Sequence, residues 1–466
     1  MAHPLFTPEV SLMLEENNEA AMAEFCDALH PATVGEALAD GFTVEEVWRI
    51  LGHTSIKNQA AIFEYFPLER QVELVEGTGR QHMARLIEEM SPDDRADLLR
   101  RLPRPVADSL LRLVDEADRR DIATLAQYAE GTAGALMTTD YAWLPDNITA
   151  GEALERLRLQ APDKETIYYI YVVNEQRKLL GVVSLRDVLL KPRPVLVRDF
   201  METQIVTVKV SDDRETVARE MARYDLLAIP VVDADGRLVG IVTHDDVIDV
   251  VVSEATEDLQ RQAGVGPLAE NYLEASFVKV WWHRAVWLAA LFIAEMFTFN
   301  TMAYFDDAMK AVTVLALFVP LCISTGGNSG SQAATLITRA LALGQATTSA
   351  WFRVLRHEIA MGLVLGLTLG AIAIARTYLL TPAHVLETTA DKGPVHISSL
   401  TLVIGSAVMA ICLWGTLVGS MLPLVFKRIG VDPAMASSPF VATFVDVTGI
   451  VIYFSIARAV LANFLT

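Results

Sequence analysis

Cysteine is scarce in this chain. Three occur in 466 residues, Cys26, Cys322 and Cys412, with no paired spacing, which supports neither a disulfide framework nor a zinc site. The nine histidines show no metal-ligand spacing, and no nucleophile–base constellation or phosphate loop appears, so an enzyme is not expected. The opening MAHPLFTPEVSLMLEENNEA has no apolar h-region and does not read as a signal peptide. Basic residues fall well short of acidic ones, 38 against 58. The shortfall is confined to residues 1–280, which hold 50 acids and 28 bases, while residues 281–466 hold 8 and 10. A region this acidic does not seek nucleic acid and invites metal cations instead.

What is present is length and apolar runs. A chain of 466 residues is too long for one core. Residues 281–466 contain five apolar stretches, roughly 285–305, 311–338, 359–380, 399–426 and 435–462, each able to cross a ~30 Å hydrocarbon core. With the N-terminus cytosolic, Arg339, Arg353, Arg356, Lys427 and Arg428 fall in cytosolic loops, as the positive-inside rule asks. Asp306, Asp307, Glu387 and Asp391 then lie outside, and the C-terminus with them. A lipid bilayer is therefore an expected partner, and the lack of targeting signals fits a bacterial plasma (inner) membrane.

From about Leu12 to Glu130 the pattern is of short amphipathic helices with proline near their starts, such as MSPDDRADLLRRL from Met90, where the missing N–H is not needed. Helices this short are marginal alone. Stacked pairwise they make a superhelix, and an ordinary helical bundle is the alternative.

From about Thr132 to Val251 a strand–turn–strand–helix unit occurs twice. Gly181, Ser184 and Asp187 match Gly240, Thr243 and Asp246 at a constant offset of 59. The pair resembles tandem cystathionine-β-synthase (CBS) domains, whose clefts often take adenine nucleotides. The resemblance implies Tyr169, Arg186 and Asp187 as contacts for a nucleotide such as ATP. Asp187 could equally cap a helix.

Asp245 to Ala269 reads as a helix with Val247, Val250 and Val251 on one face and Asp246, Asp249, Glu254, Glu257 and Asp258 on another. Like charges one turn apart repel, and a divalent cation could offset this. Gly264, Gly266 and Pro267 end the helix.

Two membrane motifs carry the chemistry. The second stretch ends PLCISTGGNSGSQAATLITRAL, with Asn328 and Gln332 on one helical face. Gly326, Gly327 and Gly330 permit either irregular backbone or close helix packing. The fifth, VDPAMASSPFVATFVDVTGIVIYFS from Val431, reads as a spanning helix with Ala442, Thr443, Asp446 and Gly449 along one side. A carboxylate at mid-membrane costs ~2.5–3.5 kcal/mol and is retained for an ion pathway or relay. Asp446 has no Lys or Arg within a turn, so a cation from solution is the missing partner. Mg2+ is commonly held through its waters by one or two carboxylates, and two chains about a two-fold axis would supply two.

GGNSGSQ, VDPAMASSPFVATFVDVTG and the order of the parts resemble the MgtE family of magnesium channels and transporters over essentially the whole chain. The fold this implies is multidomain: an all-α superhelical N-terminal domain (1–130), an α+β tandem CBS pair (131–250), a linking or plug helix (251–280) and an α-helical membrane domain with five transmembrane helices (281–466). The resemblance further implies a homodimer with Asp446 as the pore carboxylate, assisted by the backbone of Ala442. Asn328, Gln332 and Thr443 are further pore-lining candidates. It implies Glu215, Asp225, Asp246, Asp249, Glu254, Glu257 and Asp258 as regulatory Mg2+ ligands, joined by Asp93, Asp94 and Asp97 of the helical domain. Glu295, inside the first span, departs from what the family leads one to expect. Facing the pore, pairing with Arg284 and lying near an interface all stay open.

The expectation is downhill Mg2+ uptake, shut when cytosolic Mg2+ draws the acidic parts together. Two carboxylates ~4 Å apart repel by ~4 kcal/mol at an effective dielectric near 20, and a bound cation reverses that sign. The competing readings are a proton- or sodium-coupled divalent-metal carrier and a membrane-anchored nucleotide sensor.

Overall fold

The computed structural model describes residues 6–268, 272, 275–381 and 395–462. The chain forms two compact units, Met1–Val251 and Val252–Thr466.

The first unit begins with helices of eight to ten residues, from Thr7–Glu15 to Glu116–Leu125. From the second helix to the tenth, each packs on the next but one: second on fourth, third on fifth, and so to eighth on tenth. Pairwise stacking of this kind makes a superhelix rather than a bundle. One apolar core runs through it, from Val10 to Ile122. Starts are marked by proline, as at Pro31 and Pro92, or by a reciprocal cap such as Thr43 with Glu46, which satisfies N–H groups that a helix start leaves unpaired.

Two three-stranded sheets follow. β1 (Tyr141–Pro145) runs parallel to β2 (Thr166–Val173), which is antiparallel to β3 (Leu179–Ser184). β4 (Val208–Lys209), β5 (Ala228–Val232) and β6 (Leu238–Thr243) repeat the arrangement. The 59-residue offset survives in the register. Tyr169 opposes Ser184 as Ala228 opposes Thr243, and Val172 opposes Gly181 as Val231 opposes Gly240. Thr138, ahead of β1, bridges to Ile241 of the second sheet, while Glu202, ahead of β4, bridges to Val182 of the first. Each unit's lead-in thus crosses onto the other's sheet.

The linking helix, His244–Gln262, begins directly after β6. Val247 and Val250 join the core of the second CBS unit. It stops short of Ala269 because Gly264 takes a left-handed conformation (φ 72°), which terminates a helix at little cost for glycine.

The second unit contains five helices long and apolar enough to span a membrane: Phe277–Tyr304, Val314–Ala342, Thr348–Leu380, Ile397–Arg428 and Ser438–Val460. Two differences from the sequence reading have physical causes, and one open alternative is decided. The first and third helices start earlier, through FVKVWWHR and WFRVLRHE, because backbone hydrogen bonding continues where the apolar run stops. Val431–Ser437 is not part of the fifth helix. Asp432 caps a separate 3-10 turn, Pro433–Met435, and Ser437 caps the helix proper by accepting the Phe440 N–H. The second helix runs unbroken through its glycines, so these serve packing rather than irregular backbone. A methyl on Gly415 or Gly419 of the fourth helix would collide with the carbonyl oxygens of Gly326 and Gly330. Beside that contact, Ser329 and Thr416 share a 2.6 Å hydrogen bond. Glu387 and Asp391 lie outside the described residues.

Candidate functional site

In the second unit, Asp446 lies half-buried on the fifth helix, one turn after Ala442. Neither a hydrogen bond nor an ion pair reaches its carboxylate from any described residue. Across from it stands Gly327 of the second helix. A Cβ there would lie 3.5 Å from the Ala442 Cβ and 3.9 Å from Asp446 Oδ1. Glycine there brings the second helix close to Ala442 and sets no side chain against the carboxylate. Asn328, the next residue, is exposed and reaches Ser324 Oγ at 3.5 Å, and Gln332 is exposed one turn on. Thr443 points elsewhere, into an apolar cavity of about 210 Å3 between the first and fifth helices, with Leu291, Ala294 and Phe440.

Glu295 is the charged side chain that acts on Asp446 through space. It cannot pair with Arg284, since eleven residues along one helix separate them by ~16 Å. This places the unexpected acid of the first helix on the side of the membrane carboxylate.

In the first unit, acids from the helical domain and the CBS pair meet. Asp93 and Asp94 occupy the first turn of the helix Pro92–Arg101, where a helix dipole favours negative charge. The Ser91 N–H and Oγ–H both donate to Glu64 Oε1, at 2.6 and 2.9 Å, and Ser91 Oγ also contacts Asp94 Oδ2 at 3.0 Å. Asp94 is pushed up to about 7, first by desolvation in the crowded cleft and then by the charge of Glu64. Asp93 is raised well above the usual carboxylate range by desolvation, then by Asp246 and Asp94. Asp246 rises to about 6 through desolvation, opposed by its Thr243 hydrogen bond and reinforced by Asp245 and Asp249. Glu165 rises to about 7 through desolvation, then Asp245 and Asp246. Asp97 is raised by desolvation against the pull of Arg100. Among the described residues no three such groups converge as a ready-made set of metal ligands. The arrangement is an array of mutually repelling carboxylates, which is the donor set a hydrated hard cation suits.

Glu215 and Asp225 do not join that array. They stand at the two ends of the helix Arg214–Tyr224, ~15 Å apart. In the second unit, Glu254, Glu257 and Asp258 share a helix with Arg261. Asp258 is raised by desolvation and by Glu254, and Arg261 and Arg339 oppose the shift. Glu257 accepts a hydrogen bond from Arg261.

Tyr169 lies opposite Ser184 across the β2–β3 pair. Ser184 caps the helix Leu185–Leu190, and its Oγ is 2.6 Å from Asp187 Oδ2. Asp187 is therefore not the cap but the residue that holds it, its N–H donating to Ser184 Oγ at 3.0 Å, with Arg186 exposed beside it. Thr243 holds Asp246 in the same way, at 2.6 Å.

The chain is 39% identical over 451 residues to the magnesium transporter MgtE of Thermus thermophilus, covering 96% of this chain and 97% of the relative. It belongs to the MgtE family. The MgtE "Divalent cation transporter" model matches residues 319–456, the "MgtE intracellular N domain" model residues 29–131, and the CBS domain model residues 133–192 and 197–253. The Bacillus subtilis magnesium transporter MgtE is 32% identical, with 84% of each chain covered. Among solved structures, the cytosolic domain of the Mg2+ channel MgtE in complex with ATP is similar at 38% identity and a TM-score of 0.50, covering 52% of this chain and 99% of that one.

Sequence reasoning on this MgtE chain missed Glu64, Glu165 and Gly327. Glu64 and Glu165 lie in segments with no acidic run of their own, and only the fold carries them to Asp94 and Asp246. Gly327 was legible as a small residue, but not as the one opposite Asp446. Arg261 and Asp432, 171 residues apart, gave no signal of their pairing.

Proposed function

We propose that this chain is a transporter rather than an enzyme, and that it carries Mg2+ downhill across a bacterial inner membrane along a path that includes Asp446. The observation that carries this reading is a carboxylate without a hydrogen-bond or ion-pair partner among the described residues, set in a spanning helix one turn after Ala442 and faced by Gly327. Asp446 with the Ala442 backbone would hold the ion through its water shell, since Mg2+ gives up water reluctantly. Asn328 and Gln332 offer uncharged oxygens on an exposed face of the neighbouring helix. One carboxylate is a poor divalent site, so a homodimer that brings two together completes the pore. In this reading the N-terminus is cytosolic and the C-terminus outside.

The soluble part is a Mg2+ sensor divided into helical domain (1–130), CBS pair (131–250) and linking segment (251–280), the last holding the C-terminal part of the helix His244–Gln262. Asp93, Asp94, Asp97, Asp246 and Asp249 are its ligands in the acidic cleft, and Glu254, Glu257 and Asp258 those of the linking helix. Glu215 and Asp225, exposed and apart, are ligands to be completed from another chain. Mg2+ converts repulsion into attraction and favours the compact, closed form. ATP binds at Tyr169, Arg186 and Asp187, a reading supported only as far as the nucleotide by the ATP complex of the similar cytosolic domain.

The test is Mg2+ flux into proteoliposomes with no proton or sodium gradient, wild type beside Asp446→Asn. Flux in the wild type that falls ~100-fold in the variant is expected, the loss of ~2.7 kcal/mol of charge stabilisation. Flux that starts only when a proton or sodium gradient is imposed would replace the channel by a coupled carrier.

A further inference from the structure

Arg261, in the last turn of the linking helix, touches two acids at once. Its Nη2 donates to Glu257 Oε1, one turn back on the same helix. Its Nη1 donates to Asp432 Oδ2, ahead of the fifth spanning helix. The other Asp432 oxygen accepts the Ala434 N–H at 2.8 Å and so caps the 3-10 turn that leads into Ser437 and the helix carrying Asp446. The three side chains are only 24–35% exposed, unlike a freely solvated surface pair, and a cation at a helix C-terminus is favoured. Asp258, next to Glu257, is acted on by Glu254, Arg261, Glu257 and Arg339.

The end of the linking helix is also seated mechanically. The Gly264 N–H donates to Arg261 O at 2.9 Å, the Val265 N–H to Gln260 O at 2.9 Å, and the Gly266 N–H to His283 O of the first spanning helix at 3.1 Å. A Cβ on Gly264 would lie 2.6 Å from the Trp287 ring and 3.4 Å from Pro439 Cγ. The linking helix therefore ends against the first turn of the fifth helix, with Arg261 as the charged tie.

We propose that Arg261 is a positioning residue of the gate: by holding Glu257 and Asp432 together, its guanidinium delivers movement of the linking helix to the helix that carries Asp446. This rests on the Mg2+-gated reading above. A planar guanidinium can hold two carboxylates in fixed directions, whereas lysine supplies a point charge.

The experiment is flux through the full-length protein in proteoliposomes, titrated with Mg2+ on the cytosolic side. In Arg261→Gln, maximal flux at low Mg2+ stays at the wild-type level, while the Mg2+ concentration that halves it rises about tenfold, a typical coupling. Asp432→Asn does the same, the double variant is no worse than either single one, and Arg261→Lys falls between Gln and wild type. Arg261→Gln inhibited at the wild-type concentration would overturn the proposal, as would single effects that multiply in the double variant. Loss of flux at every concentration would make Arg261 merely structural and overturn it too. A wild type never inhibited by Mg2+ would remove the gating reading and this proposal together. An inhibited wild type beside an unchanged Arg261→Gln removes this proposal alone.

Discussion

In the first unit, Asp93, Asp94, Glu64, Glu165 and Asp246 crowd one cleft, where desolvation raises the pKa of each and neighbouring carboxylates add to the shift of all but Glu64. In the second, Asp446 stands on a spanning helix with Gly327 opposite and Glu295 as its charged neighbour. The residue type is the same and the surroundings differ. The cleft is itself desolvated, so its acids stay together by holding protons or sharing a cation, and their repulsion becomes a force that a cation can reverse. A membrane core tolerates few charges, and the carboxylate there is faced by a residue without a side chain. The two units also cohere differently. Both have apolar side-chain cores, but in the second unit the second and fourth spanning helices also meet through glycine backbones, as packing in lipid favours.

Gly415→Val breaks the contrast most severely. The side chain would have to displace the Gly326 carbonyl, and overpacking of this kind costs ~1–3 kcal/mol or more. The expected result is a membrane unit that aggregates or melts early in detergent while far-ultraviolet signals of the first unit persist. A Gly415→Val protein as stable as wild type would refute the close packing of those helices.

Asp246→Asn tests the cleft. Removing one carboxylate takes away both a repulsion and a ligand, so the variant should stay open at Mg2+ concentrations about tenfold above those that close the wild type, equivalent to ~1.4 kcal/mol. Flux titration reads this, and closure at the wild-type concentration would exclude Asp246 as a sensor.

The same cleft predicts a pH dependence. Asp94 and Glu165 titrate near 7 and Asp246 near 6 in the folded chain, against ordinary values of 3.8 and 4.5. The folded state thus binds more protons than the unfolded one across this range. The stability from these groups is fully present below about pH 4 and is lost as pH rises to about 7. In EDTA the melting temperature of the first unit should fall between pH 5 and 8, and excess Mg2+ should flatten the curve. A rise with pH in EDTA would contradict the crowded-acid geometry.

Gly327→Ala is the smallest perturbation. Its methyl would sit at ordinary contact distance, 3.5 Å from Ala442 and 3.9 Å from Asp446. Folding should be unaffected and flux reduced about three-fold, ~0.7 kcal/mol at the barrier. An unchanged flux would mean that the ion does not approach Asp446 from that side.

Much of this was legible in the chain. Hydrophobic runs located five spans because ~20 apolar residues have few other uses. The 59-residue repeat announced a paired α+β domain, and the antiparallel pairs β2–β3 and β5–β6 reproduced that offset in their register. Asp446 stood out because an unpaired acid in such a run is costly. The start of the fifth span was misread, since Pro433 and Asp432 form a capped turn whose composition resembles a helix entrance. The glycines of the second span allowed two readings until Gly415 and Gly419 were found facing them.

The sequence by itself determined which segments are helical, which are apolar and where charge is rare, because local hydrogen bonding and transfer from water depend on neighbouring residues. Only the tertiary structure decided which acids meet, that Glu64 and Glu165 join Asp94 and Asp246, that Gly327 rather than a side chain faces Asp446, and that Arg261 reaches Asp432. Coulomb and steric terms fall off with distance in space, and the order of residues along the chain does not encode those distances.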